Sequence, residues 1–354
     1  MSSIFFDKVA SIVEKARAYV GRTANLAMCV TYFEVGRMIV EQEQGGKARA
    51  KYGKGLLNEL SVYLTKRLGR GFSTVNLKNF RKFYITYAPS IGQTMSAEFN
   101  FPQKGQTMSA ELPFMLSWSH YQILMRIENS NERHFYEVQA TNEQWTVRQL
   151  QRQYGSSLYE RLALSRNKDE VIRLAKEGQT IEKPRDILKN PLVLEFLDMA
   201  EDSAYSETDL ESAIIAKLQK FLLELGKGFL FENRQKRFSF DEKSFFVDLV
   251  FYNRLLQCYV LIDLKTSELK HQDLGQMQMY VNYFDRYVKK DFEKPTVGIL
   301  LCSEKNDNIV ELTLPVDSNI YASAYSLYLP DKSLLQQKLS EWVEEFEEGR
   351  GVPT

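Results

Sequence analysis

Three charged side chains in the second half of the chain have the types and spacing for hydrolytic chemistry. Residues 245–252 form an apolar run that contains Asp248, and residues 258–265 form another that contains Asp263 and Lys265. Two apolar runs of strand length around a polar turn predict a β-hairpin. Because side chains alternate between the two faces of a strand, Asp263 and Lys265 should point to the same side.

The apolar setting of these carboxylates favours a metal site. Leucine, isoleucine and valine flank Asp248 and Asp263, where a solvated face would alternate with Ser, Thr or Lys. A lone carboxylate is costly in such surroundings, and a bound divalent cation would neutralise it. Asp248, Asp263 and Lys265 are therefore the minimal set for a metal-dependent phosphodiesterase. Two alternatives remain open, an ion pair between Asp248 and Lys265 or a half-exposed sheet that faces solvent.

Several segments of the chain carry a family resemblance. They are Asn233-Arg-Gln-Lys, Val247-Asp-Leu-Val-Phe-Tyr252, Ile262-Asp-Leu-Lys265 and Gly275-Gln-Met-Gln-Met-Tyr280, together with residues 210–211, 221–229 and 297–306. Residues 210–328 thereby resemble the nuclease domain of the YhcG family, a bacterial branch of the PD-(D/E)xK phosphodiesterase superfamily. The first half is similar to that family's N-terminal helical domain at residues 71–77, 83–84 and 116–120. The resemblance implies nuclease chemistry without specifying a substrate.

The resemblance also implies a role for each charged residue. Asp248 would be the bridging metal ligand and Asp263 the second ligand, with Glu211 added from the family's first helix. Lys265 would lie close to the attacking water and to the developing negative charge. A ligand set made only of oxygen atoms, with one lysine beside it, suits Mg²⁺ or Mn²⁺.

Gln276 and Tyr280 extend the predicted site. They are four residues apart and so share a helix face, and the pair resembles the QxxxY element that lines the site in exonuclease-like branches. Arg234 would contact phosphate from the first strand. Structural alternatives stay open for two of these assignments. Glu211 could instead close a capping box with Thr208. Gln276 and Tyr280 could lie on their helix without any role in the site.

The bulk composition is that of an ordinary globular protein of 354 residues, long enough for two domains. Lys plus Arg and Asp plus Glu number 46 each, so contacts with nucleic acid must come from local patches. Cys29, Cys258 and Cys302 are far apart in sequence, which argues against disulfides and for a reducing compartment. No apolar stretch approaches the roughly 18 residues of a membrane span, and no secretory signal is recognisable, so a cytoplasmic protein without a membrane partner is expected.

Basic residues cluster on two of the predicted N-terminal helices. The first 88 residues predict helices at about 4–16, 24–40, 56–68 and 73–87, and Ser73 is a suitable N-cap for the last. A glycine-containing turn before that helix gives the outline of a helix-turn-helix.

One face of the helix at 73–87 carries Lys78, Arg81 and Lys82, which suits contact with DNA phosphates. A solvated polar face on a structural helix is the alternative. Arg148 and Arg152 form a second candidate nucleic-acid-binding surface on a helix predicted at residues 146–164.

Three regions follow from the pattern: an all-α N-terminal domain at residues 1–165, a linker at 166–190, and an α/β nuclease-like domain at 191–350. The third region predicts helices at 192–199, 209–225, 271–289 and 334–346, and strands at 229–240, 245–252, 256–265, 296–303 and 320–327. The order αβββαβ is that of a restriction-endonuclease-like core. A duplicated segment, residues 92–98 and 105–111, is interpreted as a loop insertion.

Two functions from different classes are compatible with these residues. The first is a metal-dependent nuclease, with DNA favoured over RNA, whose helical N-terminal domain serves targeting or assembly. The second is a nucleic-acid-binding or complex-assembly module that keeps the fold without turnover. Asp248, Asp263 and Lys265 are all present, which favours the enzyme, since a degenerate copy often loses one of them. Self-association, endonuclease against exonuclease action and sequence preference are left open.

Overall fold

The computed structural model of the protein describes residues 2–44, 52–91, 114–164, 166, 168–199, 205–240, 242–304, 307–315 and 318–349. The duplicated segment at 92–98 and 105–111 lies outside these residues. The chain divides into two compact units, Met1–Gln151 and Arg152–Thr354. The domain limits and the linker inferred from the sequence remain predictions. Within the part of the chain that is described, no helix has the length and apolar character to cross a membrane.

The first unit is helical, as predicted, but its first two helices are one. Its elements are α1 Ser2–Gln44, α2 Tyr52–Leu68, α3 Thr74–Ile91, α4 Trp118–Leu124 and α5 Ser130–Asn142, with α6 Val147–Gly155 at its end. The prediction of separate helices at 4–16 and 24–40 was wrong. The residues between them contain Gly21 as the only glycine and no proline, and one interior glycine costs a helix only about 1 kcal/mol relative to alanine.

The helix-turn-helix outline is present in α2 and α3. The Ser73 hydroxyl accepts a hydrogen bond from the Asn76 amide at 3.3 Å, so Ser73 caps α3 as predicted. The inward side of α3 packs against α1, where Tyr32 stacks on Phe80 with ring centroids 4.2 Å apart. The opposite side of α3 is left for its polar residues.

The second unit contains the remaining helices and a sheet. The helices are α7 Leu158–Ala163, α8 Lys168–Glu177, α9 Glu207–Ala216, α10 Leu218–Leu225, α11 His271–Tyr283, α12 Asp307–Thr313 and α13 Lys332–Gly349. A π turn at Phe284–Val288 extends α11, and 3₁₀ turns lie at Pro184–Ile187 and Glu195–Leu197. The predicted helices at 146–164 and 209–225 are therefore each interrupted.

A side-chain hydrogen bond accompanies each of the two interruptions. Between α6 and α7, Ser157 has a φ of +54°, and the carbonyl of Ser156 accepts a hydrogen bond from the buried Arg161 at 2.7 Å. Between α9 and α10, Lys217 leaves helical geometry and its ammonium donates to the carbonyl of Phe196 at 2.8 Å. Helical periodicity in the sequence does not encode such contacts, so the breaks were not predicted.

Six strands form one sheet in the spatial order β1-β6-β5-β4-β3-β2. Their bounds are β1 Leu192–Val193, β2 Phe229–Phe240, β3 Lys243–Asn253, β4 Cys258–Glu268, β5 Val297–Glu304 and β6 Ile320–Ser326. Strands β2, β3 and β4 run antiparallel, whereas β5 and β6 pair parallel to β4 and to each other. The predicted hairpin and the order αβββαβ are confirmed.

The helix predicted at residues 192–199 was wrong. Leu192 and Val193 pair in parallel with β6, and the Leu194 amide donates to the carbonyl of Ser326 at 2.7 Å. A short apolar run is compatible with either a helix or a buried strand, and only the open edge of β6 decides between them.

Helices cover both faces of the sheet. On one face, Ile214 of α9 and Phe221 of α10 join the core formed by alternate residues of β3 and β4. On the other face, Leu274, Met277 and Tyr280 of α11 pack against the remaining residues of these strands. The two apolar layers hold β3 and β4 firmly at the centre, where the charged residues of the hairpin lie.

Candidate active site

The register of the hairpin places Asp248 opposite Asp263. The last ladder pair between β3 and β4 is Leu249 with Ile262, and one further step brings the two aspartates face to face. There the ladder ends, and Asp248 Oδ2 accepts the hydrogen bond of the Leu264 amide at 2.8 Å. A side chain thus replaces the backbone partner where the strands separate, and this bond orients the Asp248 carboxylate.

Asp263 is buried, with 2% of its surface exposed. Lys265 Nζ lies 2.9 Å from Asp263 Oδ2, so they form an ion pair. The contact angle is outside hydrogen-bond geometry, and Oδ2 has no hydrogen-bond donor among the described residues. The Lys265 ammonium therefore compensates this buried carboxylate by its charge, without a well-aligned hydrogen bond.

The electrostatics of the pair follow from this burial. Burial and the neighbouring Asp248 charge raise the pKa of Asp263 to about 7, although Lys265 opposes the shift. Burial alone would lower the pKa of Lys265, but the nearby carboxylates, Asp263 foremost, together more than offset this lowering, and the pKa is raised. Glu207 adds to this effect, with its Oε2 atom 3.5 Å from Lys265 Nζ. The ion pair in the structure is therefore with Asp263, whereas the sequence left a pair with Asp248 open.

Glu211 lies on α9 and is buried, but it does not cap that helix. Ser206 is the N-cap, and Asp209 closes the capping box with it. The alternative in which Glu211 bonds back to Thr208 was therefore wrong. Instead, Glu211 Oε1 forms an ion pair with Arg234 of β2.

Gln235 links Glu211 to the aspartate pair. Its Nε2 donates to Glu211 Oε2 and also to Asp248 Oδ1, the latter at 2.9 Å. Gln235 has a φ of +47°, in the left-handed region, in a strand whose register with β3 is irregular. The unusual backbone directs this amide toward both carboxylates.

Gln276 and Tyr280 lie together on α11, as their spacing predicted. Gln276 Nε2 donates to the Tyr280 hydroxyl, and Tyr280 packs edge-on against Phe238 at 5.6 Å between ring centroids. Burial raises the pKa of Tyr280, and the charges of Asp263 and Asp248 raise it further. Tyr280 is thus part of the core, and the charges of both carboxylates act on its hydroxyl group.

Several of the predicted nucleic-acid-binding cations have internal partners. Arg234 is paired with Glu211 and also donates to Ser212. Arg152 donates to Glu195 at 3.2 and 3.3 Å and to Glu224 at 3.4 Å. Each of these two guanidinium groups is therefore paired with a carboxylate in the structure, and contact with phosphate stays a prediction for both.

The other predicted cations differ in their availability. Arg81 forms an ion pair with Glu43 of α1 at 2.6 Å, which removes much of its charge from the basic face of α3. Lys78, Lys82 and Arg148 are exposed. The basic surface on α3 is therefore reduced to its two lysines, and the one on α6 to Arg148.

The donor set suits a hard divalent cation at two of the three predicted ligands. Asp248 and Asp263 converge, and the single ammonium of Lys265, paired with Asp263, leaves a second carboxylate charge that a divalent cation would neutralise. Glu211 is held by Arg234 and Gln235 instead. Among the described residues, no group of three or more His, Cys, Asp or Glu side chains is close enough to hold an ion. The predicted three-carboxylate set is not assembled in this structure.

Glu207 and Gln235 were missed by the sequence reasoning. Glu207 could have been found, because it lies four residues before Glu211 and so shares its helix face. Gln235 lies in the segment Asn233-Arg-Gln-Lys that carries the family resemblance, but its contacts depend on a left-handed backbone conformation that the sequence does not mark.

Comparison with known proteins identifies similar sequences over almost the whole chain. Residues 185–340 match the family described as the YhcG PDDEXK nuclease domain, and residues 8–161 match the DUF1016 N-terminal domain. The chain is 38% identical over 357 residues to "Putative nuclease YhcG" of Escherichia coli (strain K12), covering 97% of this chain and 95% of that protein. The domain match and the mixed sheet confirm the predicted restriction-endonuclease-like fold class.

Two solved structures are similar at lower identity. One is described as "crystal structure of a repair endonuclease from Pyrococcus abyssi", with 19% identity, a TM-score of 0.25, and coverage of 37% of this chain and 50% of that one. The other is "Structure of EndoMS-dsDNA2 complex", with 18% identity, a TM-score of 0.26, and coverage of 38% and 49%. This chain spans about half the length of each, and these similarities carry no argument about the site.

Proposed function

The chain belongs to the YhcG family and carries its nuclease-family domain, and from this we propose that it is a metal-dependent nuclease acting on DNA. The ion would be Mg²⁺ or Mn²⁺. One observation carries the proposal: Asp248 and Asp263 meet where two buried strands separate, with Lys265 beside them and one buried carboxylate oxygen without a hydrogen bond. A purely structural ion pair would not need the second aspartate.

Each residue of the site has a task in this proposal. Asp248 and Asp263 would hold the cation, and the chemistry expected of it is a lowered pKa for a bound water and neutralised phosphate charge. Lys265 keeps its proton, since its pKa is raised, and so acts as a positive charge near the reacting phosphate. Glu207 helps to position the Lys265 ammonium. Glu211 could complete the ligand set only after exchanging its bonds to β2.

The test is cleavage of plasmid DNA by the purified full-length protein. We expect nicking with Mg²⁺ or Mn²⁺ and none with EDTA. Asp248→Asn and Lys265→Ala should each reduce the rate by roughly a hundredfold or more. Glu232→Gln is the matched control, because this carboxylate of β2 forms its ion pair with Lys236 at 3.6 Å, within the described residues, and should leave the rate unchanged.

Inactivity would favour the other function. If the wild-type protein cleaves no double-stranded, single-stranded or branched DNA in either metal, yet binds DNA, it is a nucleic-acid-binding or assembly module. If it cleaves RNA and leaves DNA intact, the substrate is reassigned. In both functions we propose that the helical domain, residues 1–165, serves targeting or assembly.

Cellular location and self-association belong to the same proposal. All three cysteines of the chain are buried and none of them forms a disulfide, which supports a reducing compartment, and we place the protein in the cytoplasm. Assembly into a homo-oligomer is testable by light scattering of the purified protein.

A further inference from the structure

A cavity of about 330 Å³ lies between the end of β2 and one face of α11, outside the set of charged residues described above. Its walls are mainly aromatic, formed by Phe238, Phe240, Tyr283 and Tyr287, and Arg286 and Asn282 add polar groups. No Asp or Glu is among the residues that line it. A volume of a few hundred Å³ is in the range of small-molecule sites.

The aromatic rings of this cavity form a stacking surface. Phe238 and Tyr283 are stacked, with centroids 4.1 Å apart and planes at 20°. Tyr287 follows Tyr283 at 5.2 Å, with 64% of its surface exposed. Phe240 is 58% exposed and has no ring partner in the described part of the chain. Exposed rings grouped in this way cost solvation free energy in the isolated protein and offer flat faces to a ligand.

The polar groups match the remaining parts of a nucleotide. Arg286 is exposed and forms no ion pair within the described residues, so its guanidinium can bind a phosphate. Gln278 donates to the Asn282 side-chain oxygen at 3.3 Å. This bond leaves the Asn282 amide donors and the Gln278 oxygen available for the edge of a base.

The cavity adjoins the candidate active site through one ring. Phe238, which forms the wall of the cavity, also packs edge-on against Tyr280 at 5.6 Å. Tyr280 in turn is close enough to Asp248 and Asp263 for both charges to raise its pKa. Two neighbouring side chains, Phe238 and Tyr280, thus connect the wall of the cavity with the surroundings of the two carboxylates.

We propose that this cavity binds one unpaired nucleotide of the DNA substrate, with its base stacked on the aromatic wall and its phosphate at Arg286. The proposal rests on the proposed function and specifies its substrate class. A base inside a duplex has both faces covered by its neighbours, and only an unpaired or extruded base can enter such a cavity. Single-stranded or branched DNA is therefore preferred over intact duplex.

The experiment measures binding without cleavage. A short single-stranded DNA that contains 2-aminopurine is titrated with the full-length protein in EDTA, and quenching of its fluorescence reports base stacking. Tyr287→Ala and Phe240→Ala should each weaken binding roughly fivefold to a hundredfold. Tyr287→Phe keeps the ring and should bind like the wild type. Phe292→Ala is the control, since that ring is 76% exposed and does not line the cavity.

The outcomes separate this proposal from the proposed function. Quenching that depends on Tyr287 and Phe240, in a protein that cleaves nothing, supports the stacking site and refutes the nuclease. Cleavage with unchanged single-strand binding in both alanine variants refutes the stacking site alone. Equal losses on single-stranded and fully paired DNA, or a loss seen only with RNA, also overturn it. A wild-type protein that binds no DNA in EDTA and cleaves none with Mg²⁺ or Mn²⁺ overturns both.

Discussion

The surroundings of Asp263 disfavour the charged form of its carboxyl group. It is buried and opposite a second carboxylate, and Lys265 only partly compensates it. Burial and the Asp248 charge raise its pKa from 3.8 to about 7. A carboxyl with a higher pKa in the folded than in the unfolded state stabilises the fold while it is protonated. The contribution is complete below pH 4 and is lost as the pH rises through about 7.

A pH dependence of stability follows for the metal-free protein. In EDTA, the free energy of unfolding of the wild type should fall between pH 5 and 8 relative to that of Asp263→Asn, which stays neutral throughout. Urea unfolding of both proteins at four pH values in this interval measures the difference. Parallel pH profiles would mean that Asp263 is already charged and compensated at pH 5.

A bound divalent cation should stabilise the charged form of Asp263, and with it the folded protein. At pH 8, Mg²⁺ or Mn²⁺ at ten to a hundred times its dissociation constant should raise the free energy of unfolding of the wild type by about 1.4–2.7 kcal/mol. Asp248→Asn and Asp263→Asn should lose this response, and Glu232→Gln should keep it. Equal responses in all four proteins would place the ion elsewhere. The measurement does not depend on any catalytic activity.

At the scale of elements, the contact between α1 and α3 depends on one glycine. A Cβ atom at Gly36 would lie 2.1 Å from the carbonyl oxygen of Phe80 and 2.7 Å from its carbonyl carbon. These are backbone atoms of the facing helix, so they cannot move aside as a flexible side chain would. Gly36 therefore sets how closely the two helices approach, and with it the stacking of Tyr32 on Phe80.

Replacement of this glycine should separate the two helices. We expect Gly36→Ala to lower the free energy of unfolding by about 1–3 kcal/mol, because overpacking a close contact costs that much. Gly55→Ala in α2 is the matched control, since nothing lies within 4 Å of its added Cβ. That variant should gain about 0.5–1 kcal/mol from helix propensity. Urea unfolding followed by circular dichroism would show opposite shifts, and equal shifts would contradict the packing argument.

For the whole molecule, the balance of charge limits how it can bind DNA. Equal numbers of basic and acidic residues give a net charge of zero, so long-range attraction to phosphate comes only from local groups. On α3 these groups are Lys78 and Lys82, because Arg81 is bound to Glu43. Helical periodicity predicted that Lys78, Arg81 and Lys82 are equivalent. The ion pair with Glu43 of α1 makes Arg81 less available than the two lysines.

The salt dependence of DNA binding tests this distinction. Each phosphate contact contributes about −0.9 to the slope of log affinity against log salt for duplex DNA. Lys78→Ala combined with Lys82→Ala should reduce the size of the slope by about 2, and Arg81→Ala by less than either lysine. An unchanged slope in the double variant would exclude α3 as a DNA-contacting helix. Fluorescence anisotropy from 50 to 300 mM salt is a suitable measurement.

Features that depend on neighbouring residues in the chain were predictable from the sequence. Alternating or continuous apolar runs define β3 and β4, and a period of two places Asp263 and Lys265 on one side. The hairpin turn then places Asp248 opposite Asp263, because the turn of a tight hairpin fixes which residues of the two strands pair. The order αβββαβ follows from the same local patterns.

The partners of the buried charges were decided only by the tertiary structure. Glu211 of α9 pairs with Arg234 and Gln235 of β2, and Arg152 pairs with Glu224, which is 72 positions away in sequence. Residues 192–193 become a strand because β6 offers an open edge. Local sequence patterns indicate which side of a helix or strand is apolar. The pairing of charges depends instead on which helices and strands pack against each other. That meeting is set by the packing of the whole core, so no short stretch of sequence contains it.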